Sequence, residues 1–290
     1  MIDLKTLGEA LNPNTGRAAI KDIARELEAI NNPTPPAYTI PAKLLSKGTT
    51  NAKTSKNALE TFILYMSPAA QNSKGADLCP FRSKGCTAAC LYTAGRGKFN
   101  NVQRARMNKS EYFTRDKKTF LAQLSLELIA INKKQLKKGT KAAIRLNGTT
   151  DVDFLYLLKN RAGLDALQLE GLVFYDYTKD PHRVKRYAGT NYTLTFSRAE
   201  DNEPQALEIL KNSGIVSAVF AEKLPQLYKG FEVIDGDQSD DLMIKAAAAA
   251  GVLKRTRKGQ GIILGLKAKG DAKKDTSGFV ITSHLNTGSN

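Results

Sequence analysis

The stretch GLVFYDYTKDPHRVKRYAGTNYTLTFSRAED, residues 171–201, decides how the chain folds. Two apolar runs, GLVFYDYTKD and NYTLTFSRAED, flank PHRVKRYAG, which opens on a proline and reads as a short helix. Strands joined through a helix cross over the sheet and pair in parallel.

The alternation continues in both directions. Downstream come EPQALEILKNSG (203–214), IVSAVFAE (215–222), FEVIDGDQSDD (231–241), LMIKAAAAAGV (242–252) and GIILGLKAKG (261–270). Upstream lie VDFLYLLKNRAG (152–163), KAAIRLNGTTD (141–151), the long amphipathic segment at 114–138 and the apolar run TFILYMS (61–67). About seven strands of this kind predict an α/β fold, a complete or partial βα (TIM-like) barrel over residues 51–290. No glycine-rich nucleotide fingerprint follows the first strand, which argues against a Rossmann-type sheet. Residues 1–50 read as an N-terminal helical extension and tether. TGRAAIKDIARELEAI (15–30) has helical spacing and NNPTPPAY ends it, while SKGTTNAKTSKN (46–57) is polar.

Polar groups gather where successive strands end. Arg145, Asn147, Lys179, Arg198 and Glu222 are the candidate pocket residues. The C-terminal ends of the strands are where βα barrels build their sites. Each such residue, taken singly, is also what a solvent-facing loop contains.

All three cysteines of the chain, Cys79, Cys86 and Cys90, lie in ADLCPFRSKGCTAACLYTAGRGK (76–98), just after TFILYMS. With no apolar signal core at the amino terminus, a cytosolic chain with reduced thiols is expected, so clustered cysteines predict metal ligation. The spacing is C-x6-C-x3-C. A structural zinc takes four ligands and would have to recruit His182, His284 or a distant carboxylate. An iron–sulfur cluster on three thiolates would keep one iron open to an outside ligand. Zinc stays open as the alternative metal, since thiolates suit both.

The chain carries 44 Lys and Arg against 28 Asp and Glu, a formal charge of +16, which favours nucleic acid or another polyanion as partner. The segment at 95–118 concentrates it. Arg96, Lys98, Arg104 and Arg106, interleaved with Phe99, Tyr112 and Phe113, form a candidate nucleic-acid patch. No apolar run approaches the ~20 residues that cross a bilayer, so no membrane association is expected.

A strand, a three-cysteine loop, a helix and then repeated βα units resemble the layout of the radical S-adenosylmethionine enzymes. That resemblance implies a [4Fe–4S] cluster on Cys79, Cys86 and Cys90 at the mouth of a full or partial barrel. The usual loop there is C-x3-C-x2-C. The glycine-rich motif that contacts the methionine moiety has no clear counterpart, since RLNGTTD offers just Gly148. The resemblance therefore leaves S-adenosylmethionine unassigned. The fragments CPFRSKGCTAACLYTAGRG and FYDYTKDP also resemble a bacteriophage family, gene product 88-like, with its CP…C…CY loop and Y-x-YTK strand end. Membership implies a viral protein working in the host cytoplasm.

The aspartates Asp235, Asp237, Asp240 and Asp241 lack the full calcium-loop pattern and read as helix caps. Two histidines without a nucleophile elbow support no hydrolytic triad. Two function classes follow. One is an iron–sulfur protein, enzymatic or not, with redox or radical chemistry on an anionic substrate. The other is a non-catalytic nucleic-acid-binding protein whose loop is stapled by zinc or iron.

Overall fold

The computed structural model describes residues 38–50, 53–93, 95–249 and 260–282. The helix expected at 15–30 and His284 lie outside them.

All seven expected strands form: β2 (Glu60–Leu64), β3 (Ala142–Arg145), β4 (Leu172–Thr178), β5 (Tyr192–Ser197), β6 (Ile215–Phe220), β8 (Phe231–Asp235) and β9 (Ile262–Lys267). Three short strands join them: β1 (Leu45–Lys47), β7 (Leu227–Tyr228) and β10 (Val280–Ile281). The sheet runs β1-β2-β3-β4-β5-β6-β9-β8-β7, with β10 paired to β6. Pairing is parallel except at the edges, where β1 meets β2 and β7 meets β8 antiparallel. Strands β2 to β6 are neighbours in chain order, as in a barrel, but β9 then inserts between β6 and β8. The ends β1 and β7 do not pair among the described residues, so the sheet does not close there.

The helices are α1 (Lys84–Ala88), α2 (Asn100–Arg115), α3 (Lys117–Lys137), α4 (Phe154–Leu157, continued by a π turn), α5 (Pro181–Arg186), α6 (Glu203–Lys211) and α7 (Asp241–Ala248). The long helix expected at 114–138 begins at Lys117. Asp116 leaves helical geometry (φ −134°, ψ 67°) and its side chain accepts the Thr119 N–H at 3.2 Å, so one residue separates α2 from α3 and caps the latter.

Alternate residues of each strand serve opposite faces. Ala142, Ile144, Leu172 and Phe174 pack with Phe113, Phe120 and Leu124 of α2 and α3, while Val216, Ala218 and Ile263 pack with Ala206 and Leu210 of α6. The residues between them, Ala143, Val173, Tyr175, Ile215, Ile262 and Leu264, pack against Met243, Ile244 and Ala247 of α7. Both faces are thus covered, which explains why the strands read as continuous apolar runs.

Leu44 and Leu45 are buried in the core, and the Leu44 and Leu45 N–H groups donate to Glu127 of α3 at 2.6 and 2.9 Å. The polar tether expected from residue 46 therefore starts inside the sheet, as β1. Its polar residues misled because β1 is an edge strand, where one face meets solvent.

Candidate metal and anion site

The C-terminal ends of the parallel strands open into a cavity of about 1380 Å³. Cys79, Cys86 and Cys90 all line it, together with Arg145, Asn147, Lys179, Arg198, Arg96 and Arg106. Side chains widely separated in sequence meet there because β2 to β6 run parallel and release their loops at one edge.

The cysteine loop is held from three sides. The Leu78 N–H donates to Ala69 O at 3.0 Å, and Leu78 O accepts the Asp151 N–H at 2.8 Å, which fixes the Cys79 backbone between the loops after β2 and β3. Ser83 caps α1 by accepting the Cys86 N–H at 3.0 Å. Glu200, just past β5, accepts the Ser83 hydroxyl at 2.8 Å and the Gly85 N–H at 2.7 Å. Gly85 is obligatory: a Cβ there would stand 2.2 Å from Ser277 Oγ and 2.7 Å from Phe279 Cβ.

The thiols are free and half-buried. Cys79 Sγ accepts the Ala69 N–H at 3.4 Å, and the Cys90 sulfur receives a backbone hydrogen bond from Tyr92. Burial pushes the Cys79 thiol up to about 12, reinforced by Asp151 and the other two cysteines. Burial likewise raises Cys90, with Cys86 adding to it, while Lys179 and Arg106 draw it back. Each thiol thus lies within electrostatic reach of another. Among the described residues, however, no three His, Cys, Asp or Glu side chains are gathered into a group that could hold a metal ion. His182 is exposed and outside the cavity lining.

The expected pocket residues divide by role. Arg145 lies against the Tyr177 ring, 4.9 Å from its centroid, between Asp176 and Asp240, each 3.9 Å away. Asn147 is fully engaged: its amide reaches Val152 O and Asp176, and its carbonyl accepts Val152 N–H and the Thr150 hydroxyl. Arg198 binds Glu203 at 2.6 Å and the carbonyls of Gly278 and Phe279. Both therefore tie loops together rather than offering free donors. Lys179 pairs with neither Asp176 nor Asp180; its ammonium stands 5.5 Å from the centroid of Phe279. Glu222 is exposed and does not line the cavity, a correction to the expected set. It lies two residues past β6. The basic patch also divides, for Arg96 and Arg106 face the cavity while Lys98 and Arg104 are exposed outside its lining.

Three residues take roles that the sequence did not reveal. Asp176, fully buried, accepts the N–H groups of Leu146 and Asn147 and the Tyr192 hydroxyl, the last at 3.0 Å. Burial raises its carboxyl to about 6, against the opposing pull of Arg145 and Arg183. Asp240, expected to cap a helix, makes no side-chain cap to α7 and pairs with Lys53 at 2.5 Å. Arg106 is enclosed by Tyr65 and Tyr92. A buried aspartate or arginine looks like any loop charge until its surroundings are known.

Among the described residues no helix is long and apolar enough to cross a membrane. No curated protein and no solved structure matches the chain. The profile of the phage family Gene product 88 matches residues 43–283, from just before β1 to just past β10, and the chain belongs to that family.

Proposed function

We propose that Cys79, Cys86 and Cys90 hold a metal–thiolate centre, a [4Fe–4S] cluster, at the mouth of the cavity of a partial βα barrel. The observation that carries this reading is that all three thiols of the chain line one cavity at the strand ends. Two of the sulfurs already accept backbone N–H groups, as ligating thiolates do. Burial raises the Cys79 and Cys90 thiols, and a bound cation would offset that by favouring the thiolate. The sulfurs are not yet gathered, so loading would draw the loop inward, since metal binding and local folding are coupled.

Three protein ligands leave one position open, so the bound group would supply an electron or a coordination site to a ligand in the cavity. The chain's own part is to wall that ligand from water and orient it. Arg145 is held in place from both sides by Asp176 and Asp240, and the hydrogen bond from the Gly85 N–H to the Glu200 carboxylate keeps the cysteine segment against the loop after β5.

Protein purified without oxygen should carry about four iron and four sulfide per chain, with a broad charge-transfer absorption in the visible. Replacing all three cysteines by alanine should abolish both. A colourless protein with one zinc would replace the cluster by a structural staple, and a metal-free protein would sink the reading.

A second reading, a nucleic-acid-binding surface, is favoured by exposed Phe99 amid exposed Arg96, Lys98 and Arg104. Binding of single-stranded DNA that falls steeply with salt, and survives metal removal, would support it.

A further inference from the structure

Several cations of the cavity are already matched by carboxylates. Lys53 pairs with Asp240, Arg198 with Glu203 and Lys269 with Asp237. Arg145 shares Asp176 and Asp240. Arg106 and Lys179 are different.

The Arg106 guanidinium lies 5.0 and 5.4 Å from the ring centroids of Tyr65 and Tyr92 and donates to Tyr92 O at 3.0 Å. Its Nε is buried without a hydrogen-bond partner, and no carboxylate pairs with it among the described residues. Gly97 allows this packing, since a Cβ there would stand 2.3 Å from Tyr92 O and 3.1 Å from Arg106 Nη1. Lys179 follows β4 on the same cavity, its ammonium over Phe279 and likewise without a carboxylate ion pair among the described residues. Both cations line the same cavity as Cys90. A half-buried guanidinium with an unsatisfied N–H is costly unless a counter-charge arrives. The two rings and the Tyr92 carbonyl confine the guanidinium at the cavity wall, where a phosphate or carboxylate oxygen would supply the missing counter-charge.

We propose that Arg106 and Lys179 form an oxyanion subsite beside Cys90, which takes the phosphate or carboxylate group of a small-molecule ligand. This rests on the cavity reading above for its position, and it names the substrate class of that site. It needs no metal for its own contacts.

The test is calorimetric titration of inorganic phosphate and of succinate at low ionic strength. It is run on the protein as purified and after chelator treatment. Saturable binding of either probe, weakened at least about tenfold by Arg106→Gln and by Lys179→Gln, is expected from the loss of a charge-assisted contact. Lys133→Gln, an exposed change on α3, should leave it as it is. A response to phosphate alone assigns a phosphoryl ligand, and to succinate alone a carboxylate. Binding that persists in protein shown to hold no metal supports the subsite while removing the metal-centre reading. Failure of both probes to bind, or binding by both folded variants equal to that of the wild type, overturns the subsite whatever the metal content. Circular dichroism checks that the variants fold, and Lys179→Gln carries the test where Arg106→Gln does not.

Discussion

The carboxylate of Glu200 accepts the backbone N–H of Gly85 at 2.7 Å, across 115 residues of sequence. The same group takes the Ser83 hydroxyl, so one side chain past β5 anchors the start of the helix that carries Cys86. Burial by itself would raise the Glu200 carboxyl; the hydrogen bonds from Gly85 and Ser83 outweigh it and hold it below the ordinary range.

Glu200→Ala should release this anchor. The expected cost is about 1–2 kcal/mol, confined to the cysteine loop, because a charged acceptor and a capping interaction are lost together. Amide exchange of Gly85 to Cys90 should accelerate severalfold while the global melting temperature moves little. Unchanged exchange would mean the loop is held elsewhere.

Gly85→Ala is expected to act more strongly through crowding. The added methyl meets Ser277 Oγ and the Cβ of Phe279, and the latter belongs to a segment bound by Arg198. Displacement of α1 from the C-terminal segment should cost about 1–3 kcal/mol. Chemical denaturation would read it, and Ser277→Gly should recover part of the loss.

The buried pair Lys53–Asp240 joins the segment after β1 to the start of α7, with Tyr177 touching both. Lys53→Met leaves Asp240 facing Arg145 at 3.9 Å as its remaining cation. A loss of about 3–5 kcal/mol is expected for breaking one side of a buried pair. The double variant Lys53→Met with Asp240→Asn should fall short of the sum of the single effects, with a coupling of about 0.5–3 kcal/mol in a double-mutant cycle.

Lys109 reports on pH. Its ammonium is buried, donates to Leu44 O at 2.6 Å, and is lowered by burial to about 8, with Glu127 opposing and Arg106 assisting. A lysine whose folded pKa is depressed favours folding fully above the ordinary value of 10.5, and that favour is lost as pH falls through about 8. Relative to Lys109→Met, the wild type should therefore gain stability from pH 8 to 10, by up to about 3 kcal/mol. Parallel stability curves for the two proteins would refute the shift.

Much of the sheet was legible because strand and helix periods are local. LVFYDYT at 172–178 and YTLTFS at 192–197 become β4 and β5 within a residue or two of their apolar runs. Asp116 shows where local reading runs out: one residue's backbone divides the expected helix, and nothing in the periodicity marks it. The short strands β1, β7 and β10 were missed for another reason. Two or three residues hold no period, and each exists because a long neighbour offers a free edge.

The candidate site was legible in part. Cys79, Cys86 and Cys90, which follow the first long strand, and Lys179, which follows β4, all line the cavity at the strand ends. Arg198 and Asn147 were assigned to the pocket, but their donors are spent on loop carbonyls and carboxylates. Arg106 was read as part of a surface patch because a basic helix looks solvated in one dimension.

By itself, the sequence determined the alternating elements, the edge at which their loops emerge and the one loop that carries all three cysteines. These follow from hydrophobic period, turn residues and the parallel pairing that helical crossovers require. The insertion of β9 between β6 and β8, the placing of α7 on the second face, and the pairing or isolation of each charge belong to the tertiary structure. They depend on which distant surfaces exclude water together, and a charge has meaning there only through its neighbours in space.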